Sequence, residues 1–162
     1  MAKLPNHTIV IRKARADEAP VLSDLALRSK GYWGYSEDFL EACRQELSYS
    51  PEDINSPDSS FAVAEIAGTT AGFYALVQLS ATELELEALF VAPEYIGQGA
   101  GRALLEHAKQ AASGRGGETL AIQGDPNAVG FYEAAGAIRT GERESGSIPG
   151  RFLPLFTLPL DG

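Results

Sequence analysis

Cysteine is nearly absent from this sequence, which has one such residue, Cys43, among 162. A single cysteine cannot form an intrachain disulfide, and it cannot supply the clustered thiolates of a structural zinc site. The two histidines, His7 and His107, lie far apart and do not have the spacing of metal ligands. We therefore expect no metal site, and we expect Cys43 to be a small residue of the core.

Long apolar runs are missing as well. No stretch approaches the roughly 20 residues that a membrane-spanning helix needs. The first residues, Met1 to Thr8, lack the charged and then apolar pattern of a secretory signal. We therefore expect a cytoplasmic location and no membrane partner.

Positive charge is scarce, because 13 Lys and Arg residues are outnumbered by 22 Asp and Glu residues, which leaves a net charge of -9. A field of this sign repels phosphate-rich polymers, so nucleic acid is not an expected partner. It favours a cationic or amine-bearing partner, although an acidic surface is equally consistent with solubility alone. An anionic ligand could bind only where backbone N–H groups or a few arginines reverse the field locally.

The apolar pattern predicts a single domain of the mixed α/β class over residues 1–162. Its order of elements predicts a mixed sheet of about six to seven strands flanked by helices. Strands are predicted at residues 8–12, 61–66, 71–79, 84–91 and 119–123, with one or two more in the tail, the last near 152–158. Helices are predicted at residues 17–31, 36–47, 101–112 and 125–136, and a loop at 50–60.

The predicted strand 84–91 shows a clear alternation. One face is predicted to carry Leu84, Leu86, Ala88 and Phe90, and the other Glu83, Glu85, Glu87, Leu89 and Val91.

The most informative segment connects this strand with the helix at 101–112. It places Gly97, Gly99 and Gly101 at alternate positions just before the helix. Glycine lets the backbone approach a ligand closely, and a helix start offers unpaired N–H groups with a partial positive charge. Together these features favour a binding site for a diphosphate group.

Other interpretations of the segment fit less well. A strand-to-helix turn without a ligand does not need three alternate glycines. A dinucleotide fingerprint requires glycine where Arg102 stands, together with a parallel βαβ unit. A phosphate loop of the ATPase type requires Gly-Lys-Ser/Thr, which is absent.

Two blocks of sequence resemble a known family. The first comprises Leu89-Phe90-Val91-Ala92-Pro93 followed by Gly97-Gln98-Gly99-Ala100-Gly101-Arg102-Ala103-Leu104-Leu105, and it resembles the acyl-CoA loop of the GNAT superfamily of N-acetyltransferases. The second, from Asn127 to Gly136, resembles a later helix of that family. A predicted strand separates the two blocks, as in the family, and the order of elements matches over nearly the whole chain.

The resemblance implies a twisted GNAT-like sheet that splays apart after Val91, with acetyl-CoA as co-substrate and its pantetheine arm in the gap. The family's loop usually begins with Gln or Arg where this chain has Ile96, so one side-chain contact to the cofactor is lost. The implied cofactor-binding residues are Leu89, Phe90, Val91, Ile96, Gly97, Gln98, Gly99, Ala100, Gly101, Arg102, Asn127, Phe131 and Tyr132.

The resemblance also implies direct transfer of an acetyl group to the primary amine of a small molecule or peptide. Tyr132 is implied as the general acid that protonates the leaving thiolate, although both it and Phe131 could be core rings. Glu87 and Glu85 are candidates for the general base, although their strand face could simply be solvated. A non-catalytic acyl-CoA-binding module is the alternative function.

In the family, the region of the aromatic loop Tyr32, Trp33 and Tyr35 lines the acceptor cavity. We expect the acceptor between this loop and residues 145–151. An inward Arg151 would indicate an acceptor that also carries a carboxylate or phosphate, and an outward Arg151 a simple amine. The apolar tail at 152–160 is a candidate surface for a homodimer.

Overall fold

The computed structural model describes residues 8–145 and 148–160. These residues form one seven-stranded sheet in the order β1-β2-β3-β4-β5-β7-β6, flanked by helices, which confirms the predicted mixed fold. The strands are β1 Ile9–Lys13, β2 Ser59–Ile66, β3 Thr69–Gln78, β4 Glu83–Val91, β5 Thr119–Gln123, β6 Ile138–Glu144 and β7 Phe152–Pro159. The helices are α1 Ala19–Gly31, α2 Glu37–Cys43, α3 Pro51–Asn55, α4 Ala100–Gly114 and α5 Val129–Ala134.

Polar caps fix where the short helices begin. The Ser36 hydroxyl accepts a hydrogen bond from the Phe39 N–H at 3.1 Å and starts α2. The Asp125 carboxylate accepts one from the Asn127 N–H at 2.9 Å, but the predicted helix at 125–136 is divided into a 3-10 turn and α5. The predicted loop at 50–60 was wrong in part, because Ser50 and Asp53 form a capping box that starts α3.

The sheet changes character between β4 and β5. Strands β1 to β4 pair antiparallel, whereas β4 pairs parallel with β5 only from Glu83 to Leu86. Beyond Leu86, β4 continues to Val91 alongside β3 alone. The sheet therefore splays as predicted, and the last part of β4 has one open edge that faces the gap.

A β-bulge at Glu87 reverses the faces of β4. Ala75 of β3 pairs with Ala88, and the next β3 residue, Leu76, pairs with Leu86, so Glu87 is an inserted residue. Leu84 and Leu86 consequently pack on the face covered by α4, while Ala88 packs on the face covered by α1. The uniform alternation predicted for residues 84–91 was wrong beyond Leu86, because one extra residue shifts a period of two by one face.

Each face of the sheet has its own core. One core packs α4 against the sheet, and the other packs α1 and α2 and includes the buried Cys43, as predicted. The tail strand β7 lies between β5 and β6, and its Leu153, Phe156 and Leu158 are buried. β7 pairs with β5 over Leu155–Pro159 and with β6 over Phe152–Thr157, so most of the apolar tail is paired within the chain, and the homodimer stays a prediction. None of the helices described in the structure has the length and apolar character to cross a bilayer.

Candidate active site

A cavity of about 660 Å³ opens where β4 and β5 separate. Its walls include the end of β4, the glycine loop before α4, the start of α5 and the end of α1. The cavity brings together most of the residues that the sequence predicted for cofactor, catalysis and acceptor.

The glycine loop has the backbone geometry of an anion-binding site. Gly97 and Gly99 have φ angles of 87° and 91°, in the region that favours glycine, and α4 begins directly after Gly99. The N–H groups of Gly97, Gly99, Ala100, Gly101 and Arg102 have no hydrogen-bond acceptor among residues 8–145 and 148–160. These donors stand at the positive end of a 15-residue helix. The loop therefore presents a group of N–H donors to the cavity at the positive end of a helix.

The predicted cofactor residues divide into those on the cavity wall and one that is not. Leu89, Phe90 and Val91 line the cavity from the open edge of β4. The wall also includes Ile96, Gly97, Gly99, Ala100, Gly101, Arg102, Asn127, Phe131 and Tyr132. Gln98 is absent from the wall, and its N–H donates to the Tyr95 carbonyl instead.

Tyr132 lines the cavity but is only 5% exposed. Its ring lies between Phe131 and Phe156, with centroid distances of 5.2 and 5.7 Å. Burial raises the pKa of the hydroxyl well above its usual range, and the negative charge of Asp125 adds to the effect. The hydroxyl therefore keeps its proton at neutral pH. It has no hydrogen-bond partner within the described part of the chain.

The two candidate bases occupy different positions. Glu87 lines the large cavity and also a smaller one of about 220 Å³ beside it, whereas Glu85 lines only the smaller one. Glu85 forms an ion pair with Arg143 at 3.2 Å. The side chain of Glu87 is reached by solvent, but the cavity walls desolvate it in part, and this raises its pKa. The negative charges of Glu85, Asp53 and Glu46 raise the pKa further. Of the two glutamates, Glu87 is therefore the one that combines a raised pKa with a place on the wall of the large cavity.

A polar cluster of five side chains joins the two halves of the splayed sheet. We call it the bridging cluster, and its members are Lys30, Tyr35, Asp125, Asn127 and Arg151. The Lys30 Nζ lies 2.8 Å from Asp125 Oδ2, and the Tyr35 hydroxyl lies 3.1 Å from both Asp125 oxygens. Asn127 Nδ2 and Arg151 Nη2 donate to the Tyr35 hydroxyl at 3.0 and 2.9 Å. Residues from α1 and its following loop therefore hold residues that flank β5 and β7.

Charge pairing determines the ionisation of this cluster. Burial by itself would raise the pKa of Asp125, but the hydrogen bond and charge of Lys30, with the donors of Asn127, outweigh burial and lower it. Asp125 is therefore a carboxylate at neutral pH. The sequence analysis missed Lys30 and treated Asp125 only as a helix cap, because no local pattern brings these residues together.

The aromatic loop contributes to the cavity in part. Trp33 lines it, and Tyr35 contributes its hydroxyl to the bridging cluster. Tyr32 is 52% exposed, packs edge-on against Trp33 and does not line the cavity. In the predicted segment 145–151, Ser145 and Arg151 line the cavity, while residues 146 and 147 lie outside the described residues. Arg151 points inward.

Within the described ranges, no group of three or more His, Cys, Asp or Glu side chains is arranged to hold a metal ion.

Comparisons with known proteins agree with this architecture. A family model described as an acetyltransferase (GNAT) domain matches residues 19–147. The chain is 32% identical over 151 residues to the peptidyl-lysine N-acetyltransferase YjaB of Salmonella typhimurium, covering 93% of this chain and 97% of the relative.

Solved structures give the same result. The PaiA N-acetyltransferase of Thermoplasma acidophilum, crystallised in complex with coenzyme A, is 25% identical with a TM-score of 0.77, covering 94% of this chain and 99% of its own. The ribosomal-protein-S18-alanine N-acetyltransferase of Escherichia coli shares the fold with a TM-score of 0.73 at 21% identity, covering 96% of each chain. The chain therefore belongs to the GNAT family and is an acetyltransferase.

Proposed function

We propose that this enzyme uses acetyl-CoA and transfers the acetyl group directly to the primary amine of a small molecule or peptide. The observation that carries the proposal is a single cavity bounded by the glycine loop, the open edge of β4, Tyr132 and Glu87. A structure similar to this one was solved with coenzyme A, and a curated relative acts on peptidyl-lysine.

The residues present fit acetyl-CoA. The unpaired N–H groups from Gly97 to Arg102 would bind the diphosphate. The backbone of Leu89 to Val91 would bind the pantetheine arm as an added strand, because β5 leaves that edge of β4 open. A main-chain N–H at this edge would polarise the thioester carbonyl.

In the proposed reaction, Glu87 acts on the attacking nitrogen and Tyr132 acts on the leaving sulfur. Glu87, directly or through water, takes a proton from the acceptor ammonium, and the neutral nitrogen attacks the thioester carbonyl carbon. A C–N bond forms, the C–S bond breaks, and the Tyr132 hydroxyl donates its proton to the leaving sulfur. The nitrogen loses its second proton as the amide forms, and this proton returns to Tyr132 through solvent in the cavity. The raised pKa of Glu87 suits a base that must accept a proton near neutral pH, and Tyr132 is protonated at that pH, so it holds the proton that it donates.

Removal of one hydroxyl tests this mechanism. Tyr132→Phe keeps the ring and deletes the proton donor, so we expect turnover to fall on the order of 10²-fold with acetyl-CoA binding little changed. Tyr74→Phe is the matched control, because it deletes another buried hydroxyl that hydrogen-bonds His107 outside the cavity. Single-turnover kinetics that show equal rates for Tyr132→Phe and the parent enzyme would remove Tyr132 from the chemistry.

A further inference from the structure

The bridging cluster places an excess of positive charge in the cavity of an otherwise acidic protein. Lys30, Asp125 and Arg151 all line the cavity, and their side chains are 13%, 16% and 18% exposed. Asp125 lies 2.8 Å from Lys30 but 3.6 Å from Arg151, so its charge is committed mainly to Lys30. Two cations with one carboxylate leave one positive charge, which is centred on Arg151.

Arg151 packs against two aromatic rings and still has unused donors. Its guanidinium carbon lies 4.8 Å from the ring centroid of Phe39 and 5.3 Å from that of Tyr35, within the range of cation–π contacts. The Tyr35 hydroxyl is the one acceptor at hydrogen-bond distance from this guanidinium among the residues the structure describes. A guanidinium carries several N–H donors, and the others remain for a ligand.

The cavity has the opposite charge on another part of its wall. Glu46 and Glu87 line it there, beside the part of β4 assigned to the thioester. An acceptor that fills this space meets carboxylates near the reacting position and a guanidinium at the bridging cluster. The cavity is therefore polar in a defined direction, with a cation-attracting side and an anion-attracting side.

We propose that the acceptor is an amino carboxylate, whose amine lies at Glu87 and whose carboxylate is bound by Arg151. This inference rests on the proposed function and names its substrate class. A carboxylate fits better than a phosphate because the one excess positive charge of the cluster balances one negative charge, and a planar guanidinium can donate two parallel hydrogen bonds to a planar carboxylate.

The test uses pairs of acceptors that differ only in the anionic group. Each common amino acid and its carboxamide, together with a lysine-containing peptide, are assayed for kcat/KM with acetyl-CoA in the parent enzyme and in Arg151→Gln. We expect the variant to reduce the acid-to-amide ratio by about tenfold to a hundredfold, which is the range of a charge-assisted hydrogen bond. Differences in amine reactivity cancel when this ratio is compared between the two enzymes.

Two further variants separate recognition from stability. Arg139→Gln removes an arginine from the exposed strand β6 and should leave the ratio unchanged. Arg151→Lys keeps the charge but not the planar fork, and it should retain part of the preference. A merely structural Arg151 would lower activity on acids and amides alike, which would overturn the inference.

The outcomes distinguish this inference from the proposed function. If the amines are acetylated but acids are not preferred over amides, or the peptide is preferred over both, the carboxylate assignment is wrong while the function stands. If no amine releases coenzyme A, the proposed function fails. In that case, calorimetry with the same acid and amide pairs, in the presence of coenzyme A, measures their binding to the site without requiring a reaction. Binding of the acids that is lost in Arg151→Gln supports the inference, and unchanged or absent binding overturns it.

Discussion

At the scale of single residues, the environment of Glu87 separates it from its neighbour Glu85. Both were candidates from the sequence, but Glu85 is paired with Arg143, and Glu87 faces the large cavity. A general base must be deprotonated to act, so kcat/KM falls as the pH drops through its pKa. Because the pKa of Glu87 is raised, this fall should occur at higher pH than for a free glutamate.

The charge of Glu85 contributes to that shift. Glu85→Gln removes a neighbouring negative charge, so the pKa of Glu87 should fall and the acidic limb of the pH profile should move to lower pH. Glu87→Gln should instead lower kcat/KM on the order of 10²-fold at pH values above the pKa of Glu87, and it should remove the acidic limb of the profile. The pH dependence of kcat/KM checks both variants, with Glu83→Gln as control. If Glu85→Gln causes the large loss and Glu87→Gln does not, the two roles are reversed.

A second residue-scale effect concerns stability. Glu18 is 8% exposed and receives two hydrogen bonds from the Arg12 guanidinium, at 2.9 and 2.8 Å. This pairing outweighs desolvation and, with the Arg15 N–H, lowers the pKa of Glu18 to about 2. A carboxyl group whose pKa is lower in the folded state than in the unfolded state stabilises the folded state at pH values above the unfolded pKa. The contribution is therefore lost as the pH falls from about 4.5 to about 2.

Replacement of Glu18 should reveal this contribution. We expect Glu18→Gln to lower the free energy of unfolding at pH 7 by about 1–3 kcal/mol. Glu65→Gln is the matched control, because Glu65 is more exposed and lies 3.2 Å from the same Arg12. Glu65→Gln should lower the free energy of unfolding by less than about 1 kcal/mol. Urea denaturation at several pH values measures both, and a Glu18→Gln deficit that does not shrink toward pH 2 would contradict the assignment.

At the scale of elements, we expect the glycine loop and α4 to act as one anion-binding unit. The space beside Gly99 is open, since an added Cβ would come no closer than 3.8 Å to the Ile9 side chain. A side chain at this position therefore meets the ligand and the left-handed backbone rather than a packed neighbour. Substitutions at Gly99 can therefore separate the effect of backbone strain on ligand binding from the effect of charge.

Gly99→Asn and Gly99→Asp provide that separation. The two side chains have the same shape and both tolerate positive φ, so their strain is similar. We expect Asn to weaken acetyl-CoA binding about tenfold, and Asp to weaken it roughly a further hundredfold through repulsion of the diphosphate. Isothermal titration measures the affinities. Equal affinities in folded Asn and Asp variants would show that no phosphate lies at this loop.

At the scale of the whole molecule, the cofactor gap divides the sheet into β1 to β4 and β5 to β7. Pairing of β4 with β5 from Glu83 to Leu86 joins the halves on one side of the gap, and the bridging cluster joins them on the other. A ligand that fills the gap binds both halves of the folded chain. It should therefore stabilise the molecule as a unit.

Thermal unfolding tests this expectation. At acetyl-CoA concentrations near 100 times its dissociation constant, binding should raise the free energy of unfolding by about 2.7 kcal/mol, which corresponds to a rise in Tm of roughly 5–10 °C. NADH at the same concentration should leave the Tm unchanged, because the loop lacks the dinucleotide glycine pattern at Arg102. A rise with NADH and none with acetyl-CoA would contradict the proposed cofactor.

Local sequence determined much of this architecture. The strands and main helices lie close to their predicted positions because apolar periodicity and caps such as Ser36 act over a few residues. The glycine loop was also readable, since positive φ at Gly97 and Gly99 and a helix start are local properties. The bulge at Glu87 could not be predicted, because the alternation along one strand does not reveal which residue will lack a partner in the neighbouring strand.

The tertiary structure alone decided which polar groups share the cavity. Lys30, Asp125 and Arg151 come from distant parts of the chain, and their ion pairs exist only because α1, β5 and β7 meet across the gap. The same packing placed Tyr32 outside the cavity while Trp33 lines it, and it separated Glu85 from Glu87. Composition predicted an acidic molecule, but the charge inside a cavity depends on which few side chains the fold brings within several ångströms of each other, where Coulomb interactions are strongest.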